Sequence, residues 1–355
     1  MEQAYWLAWY QIAGVGAVTL KRLWQSFGSL SEAWHASIAE LARVDGIGGK
    51  TLEQIDQTRR SLDPHQFYTE HRQHNPQLWC PIDPDYPPLL WEIPDPPPLL
   101  YWQGSLTNWQ NLPAVAIVGT RQPTKYGRMW AYRLGKALAE AGFIIVSGLA
   151  EGIDAEAHRG CLDTNGKAIA VVGTSLERVY PPQHRALFER ISRQGLALSE
   201  YPYGTVTDKY SFPRRNRIIA GLTRATLVIE APAKSGALIT AHQANDYGRE
   251  VYALPNSIEV ESARGCLELI AKGANVILGI DELLTALGSL PQLDRPITDP
   301  LQQQIYALLP TNSSISVDAI AEASQLPIGQ LSALLLEMEI AGLVKNCGGM
   351  YYQKL

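Results

Sequence analysis

The stretch Ala114-Val115-Ala116-Ile117-Val118 contains only apolar residues and passes directly into Gly119-Thr120-Arg121. Apolar runs of strand length recur after it, at 142–146, 168–172, 196–199, 225–230, 250–254 and 275–278. Amphipathic segments of helical length lie between most of these runs, such as 128–141 and 183–194. Near-continuous apolar strands that alternate with helices are typical of a parallel sheet covered on both faces. The sequence therefore predicts an α/β fold with a Rossmann-like, doubly wound, mostly parallel sheet.

Residues 1–70 predict a separate helical domain that contains two similar glycine turns. Both Ile12-Ala13-Gly14-Val15-Gly16-Ala17 and Val44-Asp45-Gly46-Ile47-Gly48-Gly49-Lys50 follow the pattern apolar-x-Gly-apolar-Gly. The pattern resembles a tandem helix-hairpin-helix, or SAM-like, unit, whose glycines let backbone N–H groups at a helix start approach a phosphate. The turns fit either non-specific DNA contact or the closing of short hairpins in a helical bundle, and the sequence leaves both open.

A proline-rich lead-in at 75–104 begins the sheet domain, which we place at 71–290. Proline at this density excludes helix and central strand, so the lead-in is predicted to be an extended connector. Large apolar side chains stand between the prolines, including Leu90, Trp91 and Trp102. They indicate that the connector lies packed on the sheet domain.

A break near 288–300 precedes a winged-helix-like domain at 298–355. Segments 301–309 and 317–325 have helical patterns, Pro327 begins a third helix, and 344–352 has the pattern of a hairpin around Gly348-Gly349. The third helix carries Glu337 and Glu339, and no Lys or Arg follows until Lys345. We therefore expect this domain to bind another protein at least as readily as it would bind the major groove of DNA.

The composition limits the class of protein. The net charge is -5, apolar residues make up 46% and charged residues 18%, as in an ordinary globular chain. No apolar run approaches the roughly 20 residues of a membrane span, and the N-terminus has no secretory pattern. The four cysteines are scattered without paired spacing, which argues against a zinc site and a disulfide framework. We expect a cytoplasmic protein without a metal or cofactor.

Positive charge is concentrated in one place, from Lys209 to Arg224. These sixteen residues hold five basic side chains and no acidic one, with Arg214, Arg215 and Arg217 following Phe212. A local basic excess on an acidic chain indicates binding of a specific anion. Guanidinium groups suit phosphate oxygens, and Phe212 offers a face on which a base could stack. The alternative is an exposed loop whose arginines pair with nearby carboxylates.

Four turns that follow strands are rich in small residues: 118–121, 147–152, 172–175 and 231–237. Ligands of open parallel sheets bind beyond the carboxyl ends of the strands, where these turns are expected to meet. The glycines allow close backbone approach, and the helix starts behind them favour anions. The predicted phosphate-binding rim combines the basic run with residues of these turns: Gly119, Arg121, Ser147, Gly148, Lys234, Ser235 and Gly236.

Other chemistry fits the turns less well. The first turn, Gly119-Thr120-Arg121-Gln122-Pro123, lacks the Gly-x-Gly-x-x-Gly spacing of dinucleotide sites, and a Walker motif is absent. Asp154 and His158 are four residues apart and could form an acid–base couple or bind a metal. The preferred interpretation is a helix-capping aspartate and a packing histidine.

The chain resembles the DNA-processing protein A (DprA/Smf) family over nearly its full length. The resemblance rests on a set of ordered motifs: Tyr86-Pro87-Pro88-Leu89-Leu90, Asp95-Pro96-Pro97, Val118-Gly119-Thr120-Arg121, 147–154 with Ala157-His158, Tyr180-Pro181, Ser199-Glu200-Tyr201-Pro202, 212–221, Glu230-Ala231 with 235–241, 248–253 and Gly273-Ala274. Two positions depart from the family pattern, Asn256 where glycine is usual and Leu267 where asparagine is usual.

The resemblance implies a single-stranded-DNA-binding recombination mediator without catalytic activity. Such proteins protect incoming DNA, load the recombinase RecA during natural transformation, and form homodimers through the Rossmann-like domain. The resemblance also implies that Arg121, Lys209, Phe212, Arg214, Arg215 and Arg217 form the DNA pocket. The alternative is a Rossmann-like nucleotide-binding or nucleoside-monophosphate-hydrolysing enzyme, although the Pro-Gly-Gly-x-Gly-Thr signature of the hydrolases is missing at 231–237.

Overall fold

The computed structural model describes residues 2–105, 109, 112–206, 208–288, 299–310, 314–340 and 343–354. The chain divides into two compact units, Met1–Leu283 and Leu284–Leu355. Among the described residues, no helix combines the length and the hydropathy that a membrane span requires. Much of the break expected near 288–300 lies outside the described residues, and the three domain boundaries remain predictions.

The first unit begins with six helices around a core that includes Trp6, Trp9 and Leu20. The helices are α1 (Glu2–Tyr10), α2 (Ala17–Phe27), α3 (Leu30–His35), α4 (Ile38–Leu41), α5 (Gly49–Ser61) and α6 (Pro64–His74). The two glycine turns have matching geometry, because Gly14 and Gly46 both have φ 87°. Gly16 and Gly48 then precede α2 and α5 in extended conformations, and neither helix start has a side-chain cap.

The proline-rich lead-in differs from the expected extended connector in two places. Residues Pro88–Glu92 form a short helix, α7, which tolerates Pro88 because its first position needs no backbone N–H. Strands β1 (Leu78–Trp79) and β2 (Leu100–Gly104) join the sheet, and neither contains a proline. The lead-in packs on the sheet domain as predicted, since Leu90 and Ile93 are buried in its core.

The sheet is mixed and has nine strands in the order β1-β2-β6-β5-β4-β3-β7-β8-β9. Its remaining strands are β3 (Ala114–Val118), β4 (Ile144–Ser147), β5 (Ala168–Val171), β6 (Leu196–Ser199), β7 (Ala225–Val228), β8 (Glu250–Ala253) and β9 (Asn275–Val276). The seven strands β3 to β9 pair in parallel, whereas β1 and β2 are antiparallel additions at one edge. The predicted Rossmann-like sheet is confirmed.

The strand order reverses between β3 and β7. From β3 the chain proceeds through β4, β5 and β6 in one direction, then returns to β7, β8 and β9 on the other side. Crossover helices include α8 (Lys125–Glu140), α9 (Ile153–Leu162), α10 (Arg185–Gln194), α11 (Ser211–Gly221), α12 (Gly236–Asp246) and α13 (Arg264–Ala271), followed by α14 (Ile280–Leu287). Such a reversal leaves a crevice at the carboxyl ends of the two central strands, which is where doubly wound sheets bind ligands.

The second unit has the winged-helix composition expected from the sequence. It contains α15 (Pro300–Leu308), β10 (Ile315–Ser316), α16 (Val317–Ser324), α17 (Ile328–Ile340), β11 (Val344–Asn346) and β12 (Tyr351–Lys354). Its strands form a small antiparallel sheet in the order β10-β12-β11, and Ile320, Leu331 and Leu335 belong to its buried core.

Candidate nucleic-acid interface

An open cleft of about 600 Å³ lies at the carboxyl ends of β3 and β7, where the strand order reverses. We call it the basic cleft, because Arg121, Lys209 and Arg215 line it together with one acidic residue, Asp154. Seven of the twelve predicted site residues line it: Gly119, Arg121, Lys209, Phe212, Arg215, Ser235 and Gly236. The other five are Ser147, Gly148, Arg214, Arg217 and Lys234.

An exposed cation and two aromatic rings lie at the mouth of the basic cleft. The Arg121 guanidinium is 5.6 Å from the centroid of the Phe212 ring, and the Phe212 and Tyr180 ring centroids are 5.3 Å apart. Tyr180 is 48% exposed. Stacked bases need aromatic faces, and guanidinium groups add cation–π contact and phosphate binding. Tyr180 lies in the Tyr180-Pro181 motif, but no role was predicted for it from the sequence.

The basic run spans the whole of helix α11 together with the turn before it and three residues after it. Successive helical residues point about 100° apart, so its arginines face different surroundings. Lys209, on the turn, and Arg214 are exposed, whereas Arg215 and Arg217 are only 5% and 8% exposed. The run is therefore neither a uniform phosphate-binding strip nor an exposed loop.

Arg215 forms the floor of the basic cleft. Its Nη1 donates to the carbonyl of Gly148 at 2.8 Å and also to the carbonyl of Val171. Burial lowers the pKa of Arg215 to about 10, while the Asp154 carboxylate partly offsets that effect. Gly148 is needed for space, because a Cβ there would lie 2.5 Å from Nη2 of Arg215.

Arg217 lies outside the basic cleft, which corrects its expected role as a phosphate ligand. Its guanidinium donates to both oxygens of Glu200, at 2.6 and 3.0 Å, and to Asp95 Oδ2 at 3.0 Å. Burial disfavours the charge, but the Glu200 and Asp95 carboxylates outweigh it and raise the pKa of Arg217. The residue joins α11 to the lead-in and to the turn after β6.

Ser147 and Lys234 also differ from the expected arrangement. Ser147 is fully buried, and its hydroxyl donates to the carbonyl of Ile117 at 2.6 Å, so a ligand cannot reach it without breaking that bond. Lys234 is exposed on the turn before α12 but does not line the basic cleft.

The start of α12 faces the basic cleft and suits an anion. Ser235 caps the helix by accepting from the N–H of Ala237 at 3.3 Å, and Gly236 leaves its surroundings open to approach. Backbone N–H groups and the helix dipole favour negative charge at such a position.

The start of α8 is already occupied by a carboxylate of the protein itself. Glu230 is fully buried and accepts from the Thr124 N–H at 3.0 Å, the Thr124 hydroxyl at 2.6 Å and the Ser262 hydroxyl at 2.6 Å. In dinucleotide-binding folds the first crossover helix binds the pyrophosphate at its start. Here that place holds the Glu230 carboxylate, whereas the start of α12 lines the basic cleft.

His158 has the packing role preferred from the sequence, whereas Asp154 is not the expected helix cap: it lies within α9, whose N-cap is Gly152, and bonds to the turn before the helix. Asp154 accepts from the backbone N–H of Gly148 at 3.0 Å, and burial raises its pKa. His158 is fully buried, and neither ring nitrogen has a hydrogen-bond partner among the described residues. Burial, with repulsion from His184 and Arg215, lowers the pKa of His158 to about 3.

We expect the buried neutral His158 to make stability fall on acidification below pH 6.5. The unfolded chain binds this proton near pH 6.5, whereas the folded protein does not until about pH 3. The free energy of unfolding should therefore drop by about 2 kcal/mol between pH 7 and pH 5. Urea titrations at both pH values measure the drop, and His158→Phe should remove this part of it. An equal drop in the variant would contradict the assignment.

Residues 77–288 match the family described as DNA recombination-mediator protein A, and residues 289–350 match the DprA winged helix domain. Protein Smf of Synechocystis sp. is 48% identical, with 99% of each chain covered. The X-ray structure of DNA processing protein A from Streptococcus pneumoniae has a TM-score of 0.71 at 33% identity, covering 80% of this chain and 98% of that one. A Helicobacter pylori structure, described as showing the single-stranded DNA binding mode of DNA processing protein A, has a TM-score of 0.55 at 32% identity, covering 59% and 95%.

Proposed function

Because the chain belongs to the DNA recombination-mediator protein A (DprA/Smf) family, we propose that it binds single-stranded DNA in the basic cleft during natural transformation. The observation that carries the proposal is the group formed by exposed Arg121, half-buried Phe212 and exposed Tyr180 beside the start of α12. Unpaired bases can stack on the rings while phosphates reach Arg121, Lys209 and the N–H groups of the helix start. DNA contact by the seven lining residues is part of this proposal.

Selectivity for single strands follows from the aromatic rings. The bases of a duplex already stack on one another, whereas the bases of a single strand have free faces. The charge pattern supports the same conclusion, since the chain has net charge -5 whereas three cations and one carboxylate line the basic cleft. A general basic surface would attract duplex and single strand alike.

The family resemblance supports two finer proposals. The protein, acting in the cytoplasm, loads RecA recombinase onto the strand that it protects, and two copies associate through the Rossmann-like sheet domain. Catalysis is not part of the proposal, because Glu230 is committed to Thr124 and Ser262, and His158 is fully buried and does not line the basic cleft.

We expect labelled oligothymidylate to bind tightly and the matched duplex weakly in a fluorescence anisotropy salt series. The logarithm of affinity should fall with the logarithm of salt at a slope of about -0.7 per phosphate neutralised. A panel of mononucleotides should show no release of free base. Equal affinity for duplex and single strand, or a salt-independent affinity, would contradict the proposal. Base release that is lost in Glu230→Ala would favour the hydrolase alternative.

A further inference from the structure

A second cleft, of about 350 Å³, lies beside β2 and the end of α6. We call it the aromatic cleft and define it by His74, Asn75, Trp102, Glu177, Tyr201 and Tyr203. The loop after β5 contributes Glu177, and the loop after β6 contributes Tyr203. The same two loops contribute Tyr180 and Lys209 to the basic cleft. The two clefts therefore share the loops that follow neighbouring parallel strands.

Flat ring faces are available in the aromatic cleft. The rings of His74 and Tyr203 stack with centroids 5.6 Å apart and planes at 17°, and Tyr203 is 58% exposed. Trp102 is half-buried and stacks on Trp79 at 5.0 Å. Stacked rings keep a fixed orientation, so a planar ligand could add to them at a small cost in side-chain entropy.

The polar groups of the aromatic cleft suit the edge of a base and not a phosphate. Glu177 Oε1 accepts from the Gly204 N–H and the Ser175 hydroxyl, each at 2.7 Å, which anchors a carboxylate in the cleft. Asn75 is anchored by accepting from the Tyr203 N–H at 2.8 Å. No Lys or Arg lines this cleft in the described part of the chain. A carboxylate repels phosphate but accepts from the amino groups of bases.

The two clefts are close enough for one strand to enter both. Glu177 and Tyr180 are three residues apart, so their Cα atoms are separated by at most about 11 Å. About three or four nucleotides span that distance at a stacked spacing of 3.4 Å. Arg178 lies exposed on the same loop, where a linking phosphate would pass.

We propose that the aromatic cleft binds an unpaired base of the same strand whose phosphates occupy the basic cleft. This inference rests on the proposed function and extends the site by one stacking position. The base is held by Tyr203 and His74, and amino-bearing bases are favoured by Glu177.

The test compares oligodeoxycytidylates, whose bases carry an amino group, of about two and about twelve nucleotides, because two nucleotides are too short to span the separation between the clefts. Tyr203→Ala and His74→Ala remove the exposed rings, and Tyr203→Ala keeps the backbone N–H that bonds Asn75. Tyr132→Ala is the matched control, since Tyr132 lies on α8 and lines neither cleft. A longer strand carrying 2-aminopurine at successive positions reports stacking at each position by its loss of fluorescence.

We expect Tyr203→Ala to weaken the longer strand by about 5- to 150-fold, the range for losing one stacked base. The short strand should bind equally well to wild type, Tyr203→Ala and Tyr132→Ala. Unchanged binding of the longer strand by both Tyr203→Ala and His74→Ala would overturn the inference while leaving the proposed function standing. Failure of the wild type to bind either strand would overturn the proposed function as well. If a proline-rich peptide bound the aromatic cleft and the DNA strand did not compete with it, the aromatic cleft would be a site for a protein partner instead.

Discussion

Arg217→Ala is expected to lower the free energy of unfolding by about 3–5 kcal/mol, the range for breaking a buried ion pair by removing one partner. The Arg217 and Glu200 side chains are only 9% and 10% exposed, and their two parallel hydrogen bonds measure 2.6 and 3.0 Å. Removing the guanidinium leaves the Glu200 carboxylate buried without its cation. Asp95, in the lead-in, loses its contact to α11 at the same time.

Chemical denaturation of the full chain measures this effect. Arg214→Ala is the matched control, because Arg214 is on the same helix but exposed, and its loss should change stability by less than about 0.5 kcal/mol. Arg217→Lys should recover little, since an ammonium group cannot form the bidentate contact. If Arg217→Ala retains wild-type stability and instead loses DNA affinity selectively, Arg217 belongs to the DNA site and our placement of it fails.

Arg121→Ala/Lys209→Ala is expected to weaken binding of single-stranded DNA by about 100-fold or more, because each charged contact contributes about 1.5–3 kcal/mol. Both side chains are exposed and line the basic cleft, one over Phe212 and the other over Tyr210. Loss of two phosphate contacts should also make the salt slope shallower by about 1.4. Stability should change little, since no buried partner is left behind.

Arg133→Ala/Lys272→Ala is the control for charge, because it removes two exposed cations that do not line the basic cleft. Anisotropy titrations at several salt concentrations compare the two double variants with the wild type. An equal loss of affinity in both would mean that overall charge governs binding. An unchanged affinity in Arg121→Ala/Lys209→Ala would place the DNA site elsewhere on the chain.

The sequence was most informative where periodicity is strong. Each of the seven apolar runs overlaps one of the parallel strands β3 to β9. Strands β3 to β7 are buried along their whole length, and a strand buried on both faces needs apolar residues at nearly every position. The lead-in was harder to predict, because its prolines hid β2, which contains none, and α7, which uses one at its start. A count of prolines over a segment cannot show whether a proline lies inside a helix or strand, at its start, or between two elements.

The location of the candidate site could be predicted from the sequence, but the surroundings of its individual residues could not. The turns after β3 and β7 meet at the basic cleft as parallel-strand geometry requires. Helical rotation then separates neighbouring residues, so Arg214 is exposed while Arg215 and Arg217 are buried. Their partners, Gly148 and Glu200, are distant in sequence, and no local pattern indicates such pairings. Tyr180 joins Phe212 only through the tertiary fold.

The carboxylate of Glu230 at the start of α8 affects which phosphate-bearing ligands the sheet domain can bind. Nucleotides and dinucleotide coenzymes carry phosphates, and doubly wound sheets that bind them hold those phosphates at the start of the first crossover helix. Glu230 removes this binding position for nucleotides and coenzymes, because its carboxylate already accepts from the N–H and the hydroxyl of Thr124. The start of α12 remains as a second phosphate anchor, and it lies in the open basic cleft. Under the proposed function, a polymer that makes several contacts at once would outcompete single nucleotides for the basic cleft.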